Sequence, residues 1–123
     1  MKKVTPVDVS AFSFLIGRDL SISTIERQDG PPIRMDGMTM GIITMEEDAP
    51  HGGEVHPDGD EILYVISGAL SITSDSNPGE SLGLGPGEAC IVAKDEWHRV
   101  HVLEKTQLLH LTPGPNGDHR PKE

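Results

Sequence analysis

The chain has 123 residues, enough for one domain closed around one core. It holds 14 Gly, 10 Pro and only four aromatic residues (Phe12, Phe14, Tyr64 and Trp97), which argues against a helical protein and against a base-stacking platform. Twenty Asp and Glu against ten Lys and Arg leave a net charge of −10, so neither nucleic acid nor an anionic membrane is an expected partner.

Along the chain, Met1-Lys2-Lys3 is not followed by the apolar run of a secretory signal, and no stretch is long and apolar enough for a membrane-spanning helix. Ser21–Ile25 is the first convincing strand run, and Asp29-Gly30-Pro31-Pro32 breaks the chain after it. Met38–Met45 follows. Glu61–Ile66 is the strongest run, and Ser67-Gly68 is expected to turn it into Ala69–Thr73. A turn at Asp75–Gly79 leads to Ser81–Leu84, then come Ala89–Val92, Trp97–Val102 and Thr106–Leu111. Nowhere do apolar residues hold a 3.6-residue period over three turns, so the expectation is an all-β sandwich or barrel with little helix. The tail, 113–123, has no apolar side chain beyond proline and is expected to be mobile, outside a single domain spanning 1–112.

Two local features bear on setting and assembly. Cys90 is the only cysteine and sits in the apolar run Ala89–Ala93, so it is read as a structural thiol in a cytoplasmic protein. Ile62 to Ile66 is apolar at every position, so both faces of that strand are expected to be buried. One barrel wall has one interior face, and a homodimer would cover the other.

The chemistry is concentrated in His51-Gly52-Gly53-Glu54-Val55-His56-Pro57-Asp58-Gly59-Asp60-Glu61 and in His98. Glu54 and His56 lie two apart, on one face of an extended segment. The Pro57-Asp58-Gly59 turn folds Glu61 back towards His56, and His98 on a later strand could close the ring. Imidazole and carboxylate ligands on a β scaffold suit one divalent transition metal (Fe, Mn, Ni, Co or Zn). The bland alternative is an acidic surface loop with a stray histidine.

These residues resemble the two motifs of the cupins. His56 and Glu61, with four residues between them, and Gly68, with six residues between it and Glu61, match the first motif; Gly87 and His98 match the second. The resemblance covers residues 38–112 and implies a double-stranded β-helix, or jelly-roll barrel, holding one divalent metal. The departures are specific. Asp48 replaces the leading Gly, Glu54 replaces the first metal-binding His, and Ala93, Asp95 and Val102 replace the Pro, Gly and Asn of the second motif. The implied ligand set is therefore Glu54, His56, Glu61 and His98, two carboxylates where the family typically has one, with His51 or a water as the alternative to Glu54. Two carboxylates nearly cancel the charge of a divalent ion, making it less attractive to anionic substrates.

Parity sorts the remaining histidines and walls. With His98 inward, Val100 and Val102 point inward and Trp97, Arg99 and His101 outward; the face of His110 cannot be read, and His119 belongs to the tail. Leu63, Val65, Val100, Val102 and methionines between Met38 and Met45 would wall a small-molecule pocket. The expected function is a metal-dependent enzyme acting on a small organic molecule, with dioxygenase, isomerase, decarboxylase and lyase chemistry all open. The alternative is a non-catalytic protein of the same family that binds or senses a small ligand, with a structural metal or none.

Overall fold

Apolar residues recur with a period of two through most of this chain, and the structure, a computed structural model, describes residues 3–28 and 33–122 as strands and turns with no helix among them. The strands are β1 (Phe12–Gly17), β2 (Ile22–Glu26), β3 (Gly37–Met45), β4 (Glu54–Val55), β5 (Glu61–Ser74), β6 (Leu82–Leu84), β7 (Ala89–Val92), β8 (His98–Gly114) and β9 (Asp118–His119). All pairings are antiparallel, in the order β2-β1-β3-β8-β4-β9, with β5 bridging β8, β6 and β7. The break expected at Asp29–Pro32 lies outside the described residues.

The interior is a sheet folded onto itself. Leu63, Val65, Leu70, Ile72, Leu84, Val92 and Leu108 form the buried cluster, with Ile43, Met45, Cys90, Val100 and Val102 packed against it. Leu70 and Val65 have no exposed surface. The buried residues of β5 are odd-numbered at Leu63 and Val65 but even-numbered at Leu70 and Ile72, because the pairing with β8 shifts by one residue between them. Ser67-Gly68, expected as a turn between two strands, is therefore a bulge within one long strand. Gly68 takes φ +91°, and a Cβ there would stand 2.2 Å from the Lys105 carbonyl oxygen. The buried Thr106 hydroxyl accepts from the Ala69 N–H at 3.0 Å, replacing a ladder bond lost at the bulge. On β8 no parity change occurs. His98, Val100, Val102, Thr106, Leu108 and His110 face inward on either side of an exposed irregular stretch at 103–105, so the two runs expected at 97–102 and 106–111 are one strand.

Two further expectations, on the first strand and on the tail, are corrected, and a third, on the apolar run 62–66, stands as it was. A strand precedes the first expected one: β1 pairs with β3 through Phe14 opposite Met40, a contact between distant segments that local pattern cannot reveal. Within one chain the Ile62–Ile66 run is buried on one face only; Leu63 and Val65 are interior, while Ile62, Tyr64 and Ile66 are 39%, 38% and 37% exposed. An antiparallel barrel wall covers one side of each strand, and among the described residues nothing covers the other. Residues 113–122, read as a tail outside the barrel, contribute the end of β8 and the whole of β9, which pairs with β4. Arg120 holds this segment in place. Its guanidinium donates to both Asp75 carboxylate oxygens at 2.7 and 2.8 Å and lies 4.9 Å from the centre of the Trp97 ring.

Candidate metal centre

Strand register builds the cluster. Glu54 of β4 lies directly opposite His98, the first residue of β8, so their side chains share a face. This close approach is possible because residue 53 is glycine. Gly53 has φ +136°, and a Cβ there would stand 2.9 Å from the His98 carbonyl oxygen. His56 follows two residues after Glu54, and the turn at 57–59 returns the chain so that Glu61 opens β5 beside it. The loop before His98 is fixed from the same region: Asp95 N–H donates to the His56 carbonyl at 3.1 Å and Lys94 N–H to Asp60 at 2.8 Å. Asp95 adopts φ 64°, the left-handed conformation that Asp tolerates better than most residues, where the cupin motif has glycine.

Glu54, His56, Glu61 and His98 each offer one ligand atom, and those atoms all lie within 4.8 Å of one another. Glu61 Oε1 is 3.1 Å from His98 Nε2, and Glu61 Oε2 is 3.2 Å from His56 Nε2. Glu54 Oε1 is 3.5 Å from His98 Nε2 and 3.8 Å from His56 Nε2. Donors about 2.0–2.2 Å from one ion stand roughly 3.0–3.6 Å apart, so the set has the dimensions of a single-ion shell. Both ring nitrogens of His56 are buried without a hydrogen-bond partner among the described residues. Glu61 Oε2 stands 3.2 Å from Nε2 without hydrogen-bond geometry, which leaves that nitrogen open to an ion. His98 Nδ1–H donates to the Glu96 carbonyl at 3.1 Å, which leaves Nε2 aimed at the carboxylates, as a ligating histidine requires. These residues fit a divalent ion.

Without an ion, the groups hold protons instead. Burial alone pulls both imidazoles down, but the Glu54 and Glu61 carboxylates outweigh it and hold His56 at about 9 and His98 at about 10. Burial pushes Glu54 and Glu61 up, but the two imidazoles hold both well below the usual carboxylate range. Two imidazolium groups then balance two carboxylates.

His51 stands apart. Its Nε2 is 3.9 Å from Glu54 Oε2 and its Nδ1 accepts from the Gly53 N–H, so it flanks the cluster without joining it. His101 points away, to Thr73 and Asp48. His119 packs near His51, with ring centres 5.6 Å apart. His110 faces inward; burial lowers its pKa, and its Nδ1 lies 2.8 Å from the Thr112 hydroxyl, which donates to Glu61 Oε2 at 2.7 Å. Sequence reasoning missed Thr112. The available signal was the even-numbered face of β8, had 98–114 been read as one strand.

Beside the cluster is a cavity of about 190 Å³, its walls formed by Ile43, Met45, Ala49, Leu63, Val100 and Leu108 and its polar edge by His51, Glu54, His98 and Arg99. Of the expected walls, Leu63, Val100 and Met45 line it, whereas Val65 and Val102 pack into the core.

A family profile described as Cupin domain matches residues 41–112. No curated protein matches the sequence. Among solved structures, the chain is similar to a double-stranded β-helix protein from Klebsiella pneumoniae, at 19% identity and a TM-score of 0.57 over 80% of this chain and 91% of that one. It is also similar to a protein from Neisseria meningitidis, at 21% identity and a TM-score of 0.55 over 73% and 89% of the two chains. A mutant of the Bacillus subtilis oxalate decarboxylase gives 20% identity and a TM-score of 0.55 over 68% of this chain but only 24% of that one. At these identities the likeness is one of fold.

Proposed function

Because this chain is a member of the cupin family, we propose that it is a metal-dependent enzyme acting on a small organic molecule held in the cavity beside Glu54 and His98. One observation supports this above the others: four convergent His and Glu donors open onto an apolar cavity of about 190 Å³, somewhat larger than one that admits benzene. His56, Glu61 and His98 would hold the ion, with Glu54 as the fourth ligand. Bound there, a divalent ion supplies Lewis-acid polarisation of a substrate oxygen. The protein's own groups do the rest. Ile43, Met45, Val100 and Leu108 exclude water and take the carbon body. Glu54 is the donor most open to solvent, its side chain 34% exposed against 3% for Glu61 and 1% for His98, so it is the ligand an entering substrate would meet first. Its negative charge disfavours anionic substrates, pointing to neutral ones.

The exposed Ile62, Tyr64 and Ile66 side chains and the neighbouring Ile91, 72% exposed, form an apolar outer face that a second copy of this chain would cover, giving a homodimer. The single cysteine, Cys90, fits a reducing compartment such as the cytoplasm. Among the described residues no helix is long and apolar enough to cross a membrane.

Elemental analysis of protein purified without a chelating column tests the proposal. Near-stoichiometric Fe, Mn, Ni, Co or Zn is expected, and its absence removes the metal-dependent assignment. An oxygen-uptake and product screen of the metal-loaded protein over small aliphatic compounds and phenols then separates catalysis from ligand binding. Binding of such a compound without turnover would assign the protein to ligand sensing instead.

A further inference from the structure

The pairing of β5 with β8 places two polar side chains in a row behind the candidate ligand Glu61. Leu63 lies opposite His110 and Ile62 opposite Leu111, so the next position along, Thr112, is the cross-strand neighbour of Glu61. Thr112 Oγ1 is 2.7 Å from Glu61 Oε2, and His110 Nδ1 is 2.8 Å from Thr112 Oγ1. The direction of these bonds follows from chemistry. An ionised carboxylate only accepts, so the single hydroxyl proton of Thr112 goes to Glu61. The Thr112 oxygen then accepts from His110, which must carry its proton on Nδ1 and leave Nε2 bare.

On its other side His110 lies opposite Gly41 of β3. A Cβ at position 41 would stand 2.7 Å from His110 Nε2 and 3.3 Å from Cδ2, so the imidazole occupies the space a side chain would fill. Gly41 has no left-handed backbone to explain it; the ring's need for room does. The chain Gly41, His110, Thr112, Glu61 thus runs from the back wall of the barrel to the cluster.

We propose that His110 and Thr112 are positioning residues that fix the Glu61 carboxylate for metal binding, with Gly41 providing the seat for the His110 ring. This rests on the metal-dependent assignment above. The Thr112 hydroxyl occupies a lone pair of Oε2, so Oε1, 3.1 Å from His98 Nε2, is the oxygen offered to an ion, and Glu61 binds through one oxygen. Remove the hydroxyl and Oε2 is released, and the carboxylate is free to rotate or to chelate through both oxygens.

Co²⁺ is the probe, because its visible absorption reports coordination number while its titration reports affinity. Thr112→Val is expected to weaken Co²⁺ binding about 10–100-fold and to alter the absorption spectrum. Thr112→Ser, which keeps the hydroxyl, is expected to retain both, a rescue that a purely structural role for the side chain would not give. Gly41→Ala, which displaces the ring without touching the hydroxyl, should weaken binding less than Thr112→Val. If Thr112→Val does not fold, His110→Phe, which keeps the ring volume and removes the donor, takes its place with the same expected loss. Wild-type affinity and spectrum in the folded Thr112→Val or His110→Phe protein overturn this proposal alone. A wild-type protein that binds no Co²⁺ overturns it together with the metal assignment.

Discussion

Glu54 is the residue where this chain departs most from its family, and its position explains both why the change is tolerated and what it should cost. It occupies the position where the cupin motif has a histidine and pairs across the ladder with His98, but from a two-residue strand and with a third of its side chain exposed. Glu61 reaches the same cluster from the start of a 14-residue strand, almost completely buried. A ligand held more rigidly contributes more to affinity because less freedom is lost on binding. Glu54→Ala is therefore expected to lower transition-metal affinity at least about tenfold, and Glu61→Ala to lower it more. Competition with a chromophoric chelator measures both. Unchanged affinity in Glu54→Ala would remove Glu54 from the ligand set and leave His51, 3.9 Å from its carboxylate, as the nearest replacement.

At the scale of elements, the bulge in β5 decides which residues are inside. Without the one-residue shift near Gly68, Leu70 and Ile72 would face solvent while Leu63 and Val65 faced the core. Gly68 makes the shift possible because its φ of +91° is a glycine conformation, and because its missing Cβ lets the Lys105 carbonyl approach. Gly68→Ala combines a strained backbone with a backbone clash, and a loss of about 3 kcal/mol or more is expected by urea unfolding. A loss below about 1 kcal/mol would mean the bulge relocates. The sequence contains Ser67-Gly68 plainly enough, but a glycine after a β run signals a turn and a bulge equally. Only the partner strand, continuous from His98 to Gly114, distinguishes them.

At the scale of the whole molecule, protons occupy the cluster that an ion would claim. His56 and His98 have pKa values raised from 6.5 to about 9 and about 10, so their stabilisation of the metal-free fold is fully present below pH 6.5 and is lost as pH rises through 9 to 10. Glu54 and Glu61 are lowered from 4.5, so their contribution is present above pH 4.5 and lost as pH falls. His110, lowered by burial, takes stability away as pH falls below 6.5. The metal-free protein should thus lose melting temperature from pH 6.5 towards 10. Metal affinity should move the other way, because an ion must displace both imidazole protons. Between pH 6 and 8 the logarithm of affinity is expected to rise with a slope approaching two, and a flat profile would contradict the proton-holding cluster. The outer face gives a second test at this scale. Ile91→Glu, placed opposite Ile62 on that face, is expected to convert a dimer to a monomer by sedimentation; a wild-type monomer would contradict the proposed assembly.

The sequence by itself determined the all-β class and the cupin resemblance, because a period of two and short motif spacings are local properties. It also named Glu54, His56, Glu61 and His98, which the fold brings within 4.8 Å of one another. The turn at 57–59 joins two of them at short range, and motif spacing supplied the partner at position 98. Tertiary structure alone decided which neighbours support those groups. β1 pairs with β3, β9 with β4, and Thr112 with Glu61, all across separations that no local pattern encodes. It also decided the side on which His110 lies, since the face of a residue is known only once the irregularities between it and a residue of known direction are known. A ligand set can be read from spacing, but what holds each ligand in place is set by register.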